Sequence, residues 1–183
     1  MAYNMKDVFY LDTSIEITTS AGDGIATLDL SSYVDPIARG KSKGQGLAIY
    51  KVHWDAMDDG DNAPVPAGST GTFRAGLISF SGLPSAAVGG ASLSNNILRP
   101  STDLMISGFD FYAGGTAAGD PSPHVWLEPS TEVPYIVVRD QVNLMIDVDV
   151  AMSTNTVVSC RMECAIVTLD QSTLNQLLRT QTV

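Results

Sequence analysis

The feature that most constrains this chain is the stretch from Gln141 to Leu169, two runs of strict alternation joined by a short turn. In the first run Val142, Leu144, Ile146, Val148 and Val150 take alternate positions, with Asn143, Asp147 and Asp149 at most of the positions between. In the second, Val158, Cys160, Met162, Cys164 and Ile166 alternate with Ser159, Arg161, Glu163 and Ala165. Successive side chains on a strand point to opposite faces, so each run has one apolar and one mostly wet face. A helix repeats its apolar positions every three or four residues and does not produce alternation this long. Two long strands are predicted. The turn residues Ser153, Thr154 and Asn155 predict that the strands pair as an antiparallel hairpin at the centre of a β-sandwich.

The rest of the chain reads as what covers that centre. Strands are predicted over Lys6–Thr18, Ile25–Tyr33, Leu47–Met57, Thr70–Phe80, Asp103–Tyr112, His124–Glu128 and Val133–Arg139. In the third of these, Tyr50, Val52 and Trp54 are expected on one face, with Ile49, Lys51, His53 and Asp55 on the other. Gly71 and Gly76 interrupt the fourth and predict bulges or the close approach of another backbone. Asp170 to Arg179 reads as a short helix, capped by Asp170 or Ser172, with Leu174, Leu177 and Leu178 as its buried stripe. Many short strands at regular spacing with Gly- and Pro-containing turns predict an all-β, antiparallel two-sheet sandwich, a single jelly roll of about eight or nine strands with a short C-terminal helix. An immunoglobulin-like strand order is equally compatible with this spacing. At 183 residues the chain is expected to form one domain, without internal repeat or linker.

Ten basic and twenty acidic residues give a formal net charge of −10. A surface of that sign repels phosphate, so direct nucleic-acid binding is not expected. No stretch approaches the ~18 apolar residues of a membrane span, and the first residues lack the apolar core of a secretory leader. Cys160 and Cys164 lie four apart on one strand, about 13 Å along it. A disulfide needs a Cα separation of about 5.5 Å, so they are expected as free, buried side chains.

Motifs for chemistry are weak. Gly40-Lys41-Ser42 lacks the second glycine of a phosphate-binding loop, because position 35 is Asp. Arg39, Lys41 and Lys43 instead form a basic cluster suited to an acidic patch on a neighbour, with Asp58, Asp59 and Asp61 as the candidate. That acidic loop, with Asp55 and Asn62, offers oxygens to a hard cation. Met57 and Pro66 occupy positions where an EF-hand needs ligands. Only two histidines occur, His53 and His124, too few and too far apart for a cupin-type metal centre, and there is no Gly-x-Ser-x-Gly elbow. No enzyme activity, metal or cofactor is expected. Residues 82–100 form an unusually apolar loop, which must lie against its own domain or a neighbouring subunit. Leu83, Val88, Leu93, Ile97 and Leu98 are its candidate contact residues.

Taken together, about nine strands over nearly the whole chain, long small-residue loops at 58–68, 82–100 and 113–123, and the closing run from Cys160 to Leu169 make the chain resemble the single jelly-roll capsid proteins of tailless icosahedral viruses. The resemblance implies a coat protein that is synthesised in a host cytoplasm and resides in the virion. It implies self-assembly into an icosahedral shell through loop contacts with itself or other capsid proteins. The chain lacks the basic arm of many RNA-virus coats, since residues 1–7 hold one lysine. The alternative is a lectin-like sandwich that binds carbohydrate through Trp126 or Trp54, with Ca²⁺ held by the acidic loop.

Overall fold

The structure is a computed structural model and describes residues 7–19, 24–35, 43–61, 63–79, 98–114 and 121–181. Among these lie nine strands and a helix: β1 (Phe9–Ile17), β2 (Gly24–Asp29), β3 (Lys43–Asp58), β4 (Thr70–Ile78), β5 (Met105–Gly114), β6 (Ser122–Leu127), β7 (Tyr135–Val137), β8 (Gln141–Val150), β9 (Thr156–Asp170) and α1 (Gln171–Thr180). They form a four-stranded sheet of order β1-β9-β3-β7 and a five-stranded sheet of order β2-β8-β4-β5-β6. Every pairing is antiparallel.

This order is a jelly roll, and the pairings show how it forms. The chain doubles back between β4 and β5. β5 lies beside β4, β7 beside β3, β8 beside β2 and β9 beside β1. The doubled ribbon then rolls, and the β3–β9 and β4–β8 pairings close it. β6 is an addition on the free side of β5.

The predicted central hairpin is not formed. β8 and β9 lie in opposite sheets, and each is flanked by two other strands. Residues 151–155 carry the chain across the sandwich. Over most of their length the expected apolar faces are buried but turned toward each other, with Val150 and Ile166 exposed: Val142 and Leu144 of β8 meet Cys160, Met162 and Cys164 of β9 in one buried cluster with Leu47, Ile49, Val52 and Leu77. A second cluster joins Ile146 and Val158 to Phe73, Phe109 and Phe111.

One register shift and one change of the buried face interrupt the alternation. A bulge falls between Ile49 and Lys51. It puts Ile49 on the inner face with Val52 and Trp54 and sends Tyr50 outward to Ala48 and Ala165. Toward the end of β9, Ile166 becomes exposed while Leu169, on the outer face, is buried. α1 covers Leu169: its Leu174 packs with Val138 and Leu169, supported by Leu177 and Leu178. The expected cap is confirmed: the Asp170 carboxylate accepts from the Thr173 N–H at 2.8 Å. Gly44 lies within β3, not in a loop, paired with Leu169, and a Cβ there would stand 2.5 Å from Leu174 Cδ2. β3 accordingly begins at Lys43, four residues before the expected start. β2 stops at Asp29, short of the expected Tyr33, because the Asp29 carboxylate accepts from the Ser31 N–H at 2.8 Å and turns the chain.

Gln181 locks the end of α1 to the sandwich. Its side-chain Oε1 accepts from Ser79 Oγ and from the Val138 N–H, each at 3.2 Å, and its Nε2 donates to the Ile136 carbonyl at 2.6 Å. Its own carbonyl accepts from Arg139 Nε at 3.1 Å.

Candidate subunit-contact surface

A jelly roll gathers its connections at two ends, and the sequence-predicted residues divide between them. β3 runs the length of the sandwich, with Lys43 at its first position and Asp58 at its last. Sixteen residues of strand separate the two positions by about 50 Å, so Lys43 and the acidic loop of one molecule cannot meet. Arg39 and Lys41 lie outside the described residues, as do Leu83, Val88, Leu93 and Ile97. Leu98 is 2% exposed and packs with Ile78, Met105 and Met145 of its own chain. The side chain of Leu98 therefore offers a neighbour no surface, and the expectation for it is corrected.

The acidic loop closes on its own backbone. The Asp58 carboxylate accepts from the Gly60 N–H at 2.8 Å and that of Asp61 from the Ala63 N–H at 3.0 Å. Asp59 and Asp61 remain exposed. No group of three or more His, Cys, Asp or Glu that could hold a metal ion occurs among the described residues. The crossing turn 151–155 ties this end together. The Asn155 carbonyl accepts from the Asp59 N–H at 3.0 Å, and its side chain accepts from the Thr19 N–H at 3.2 Å. Ser153 Oγ accepts from the Thr70 N–H at 2.9 Å. Gly71 has φ of 137°, and a Cβ there would stand 2.7 Å from Met152 Cα, a close backbone approach of the kind expected at this glycine.

The sheet faces carry ordered polar chemistry that periodicity alone did not reveal. On the outer face of the five-stranded sheet, Arg74 donates from Nε and Nη2 to the two Asp110 oxygens, both at 2.8 Å. This bond to Asp110 raises the already high pKa of the guanidinium further. Trp126 Nε1 donates to Asp110 at 3.0 Å, with Arg74 Cζ 5.2 Å from its ring centroid. Gly108 makes room for that indole, since a Cβ there would stand 2.2 Å from it. Beside this group lies an open depression of about 770 Å³, lined by Arg74, Asp110, Tyr112, His124, Asp147 and Asp149. Trp54, the other tryptophan proposed to stack on a sugar, faces inward. It donates from Nε1 to Ser107 Oγ at 2.8 Å and stacks on Phe109 at 5.4 Å.

On the outer face of the four-stranded sheet, His53 Nε2 lies 2.8 Å from Glu163 Oε1, and Arg161 Cζ lies 5.3 Å from the Tyr10 ring centroid. Cys160 and Cys164 are buried and unbridged, as expected. Burial pushes both thiols up to about 12. It also pushes the Tyr135 phenol well above its ordinary value, while its O–H donates to the Asp103 carbonyl at 2.8 Å.

No protein-family profile matches this chain, and no curated protein is similar to it at a significant level. Solved structures similar to it include VP1 of Trichodysplasia spinulosa-associated polyomavirus in complex with sialylated precision glycooligomers, at 7% identity and a TM-score of 0.40. The match covers 93% of this chain and 97% of that one. The same VP1 in complex with GM1 oligosaccharide gives 7% identity and a TM-score of 0.41 over the same shares. VP1 of Human Polyomavirus 12 in complex with 3'-sialyllactosamine gives 9% identity and a TM-score of 0.35, covering 90% of this chain and all of that one. The class defined by the strand order is the antiparallel jelly roll.

Proposed function

We propose that this protein is a structural subunit of a viral capsid, resident in the virion, that self-associates through its loops and sheet edges. The observation that carries this reading is the strand order: a complete jelly roll built from the described chain, as the resemblance to single jelly-roll capsid proteins implies. The distribution of charge supports it. Lys43 stands at one end of β3 and Asp58 at the other, with Asp59 and Asp61 just beyond. Opposite charges too far apart to pair within a molecule suit pairing between copies. Partners are copies of this chain or kindred capsid subunits. A net charge of −10 disfavours direct contact with nucleic acid, and no helix among the described residues is long and apolar enough to cross a membrane. Light scattering on the purified protein tests the reading. Species many times the 19.4 kDa chain mass are expected, and a monomer at every concentration refutes it.

A second reading, carbohydrate binding, draws on the depression beside Arg74, Asp110 and Tyr112, a residue more than half exposed. Aromatic rings flanked by carboxylates and a guanidinium suit sugar hydroxyls. Glycan-array binding that is lost in Tyr112→Ala supports it, and a blank array refutes it. The same array with a chelator tests whether Ca²⁺ takes part.

A further inference from the structure

Two sheets have four edges, and two of them are blunted against pairing. β7 has only three residues. β6 carries Pro123 and a register shift against β5. β2 pairs in unbroken register and is three residues shorter than β1. Short strands, proline and bulges are the common means of stopping one sheet from adding to another. β1 has none of them. It is nine residues long, contains no proline or lysine, and pairs with β9 in unbroken register from Phe9 to Ile17. Its charged side chains, Asp12 and Glu16, point outward, and among the described residues no strand pairs with its other side.

The sequence of β1 is also self-complementary. Set antiparallel to a second copy about a two-fold axis at Thr13, all nine residues pair. The inner face brings Phe9 to Ile17, Leu11 to Ile15 and Thr13 to Thr13, and the outer face brings Tyr10 to Glu16 and Asp12 to Ser14. No like charges stand opposite. The competing registers lack this property: an axis at Asp12 sets Asp12 against its own copy, and an axis at Ser14 sets Asp12 against Glu16. Like charges directly opposite destabilise a strand pair, and axes at Leu11 or Ile15, which avoid them, pair only five of the nine residues, so the register centred on Thr13 is favoured. A two-fold contact uses the same patch on both copies, as such a palindrome requires.

We propose that two copies of this protein join edge to edge through β1, in the register centred on Thr13, making one continuous eight-stranded sheet. The proposal deepens the reading of the chain as a self-associating subunit by naming one contact. Thr13 then stands opposite its own copy at a Cα separation of about 4.5–5.5 Å, within the range of a disulfide.

The test oxidises purified full-length Thr13→Cys, in a Cys160→Ala background because Cys160 stands directly opposite Thr13 on β9, and runs it on a non-reducing gel, with Ser130→Cys in the same background as an exposed control distant from β1. A covalent dimer with Thr13→Cys alone is expected. Because Thr13 faces inward, exposed Ser14 provides a second probe by sedimentation. Ser14→Asp, which places two acidic pairs at the contact, raises the dimer dissociation constant roughly tenfold, and Ser14→Lys lowers it. Particles that form while Thr13→Cys stays monomeric and both Ser14 variants match wild type overturn the β1 contact but leave the subunit reading intact. A β1 dimer that never enlarges supports the contact and overturns the capsid reading.

Discussion

Replacing Gln181 by alanine removes three hydrogen bonds at once, and their surroundings set the cost. The Val138 N–H belongs to a fully buried residue and loses its acceptor at 3.2 Å. An orphaned buried group of this kind costs about 1–3 kcal/mol. The Ile136 carbonyl, bonded at 2.6 Å, is part-buried and recovers some of its loss from water. The Ser79 hydroxyl, bonded at 3.2 Å, can rotate to another acceptor. The sum is about 2–4 kcal/mol, a large share of the 5–15 kcal/mol by which domains of this kind are stable. For a chain of this length it lowers Tm by roughly 4–16 °C. Gln181→Met separates the hydrogen bonds from packing. Its apolar side chain fills the site and excludes water, so it is expected to cost at least as much as alanine. Urea denaturation with an unchanged m value measures both variants. A loss below about 0.5 kcal/mol for alanine, or a methionine variant as stable as wild type, would refute the view that Gln181 clamps the helix end to the sandwich.

Three further outcomes follow from the same structure. Gly71→Ala puts a side chain at φ of 137° and 2.7 Å from Met152 Cα. A loss of at least about 2 kcal/mol is expected in urea denaturation, and a neutral effect contradicts the crossing turn at 151–155. Cys160 and Cys164, buried with thiols pushed up to about 12, are expected to resist an aromatic disulfide reagent at pH 8 and to react together in urea. Rapid native labelling of either contradicts its place between the sheets. The Thr173 N–H holds the Asp170 carboxylate below its ordinary value of 3.8. A depressed carboxylate stabilises the fold above its unfolded pKa and loses that contribution as pH falls through the folded one. Thermal melts of Asp170→Ala are therefore expected to lie below wild type near neutral pH and to converge with it below about pH 4. A gap that does not narrow as pH falls below about 4 contradicts the cap.

Alternation revealed where the strands were and which faces were apolar, because burial on one side of a pleated strand writes itself into every second residue. It could not reveal partners. Val142 and Val158 carry the same pattern whether their strands pair within a sheet or face each other across the core. Ser153, Thr154 and Asn155 suit a hairpin turn and a sandwich crossing equally, since both need polar groups that satisfy backbone. Simple alternation predicts the wrong face for Tyr50 because one bulged residue inverts the phase for everything before it. Gly44 read as loop because its reason, room for Leu174, lies about 130 residues away along the chain. At the candidate surface, the acidic loop and Lys43 were legible as charge. The Arg74–Asp110–Trp126 group and the Gln181 clamp were not, because single polar residues carry no periodic signal and gain meaning only from cross-strand register. Leu98 was legible as apolar but not as internal.

The central claim is that this jelly roll exists to contact copies of itself, and electron microscopy of the purified chain by negative stain tests it most directly. The account predicts closed particles or ordered multimers of uniform curvature. A field of single molecules that persists at high concentration contradicts it.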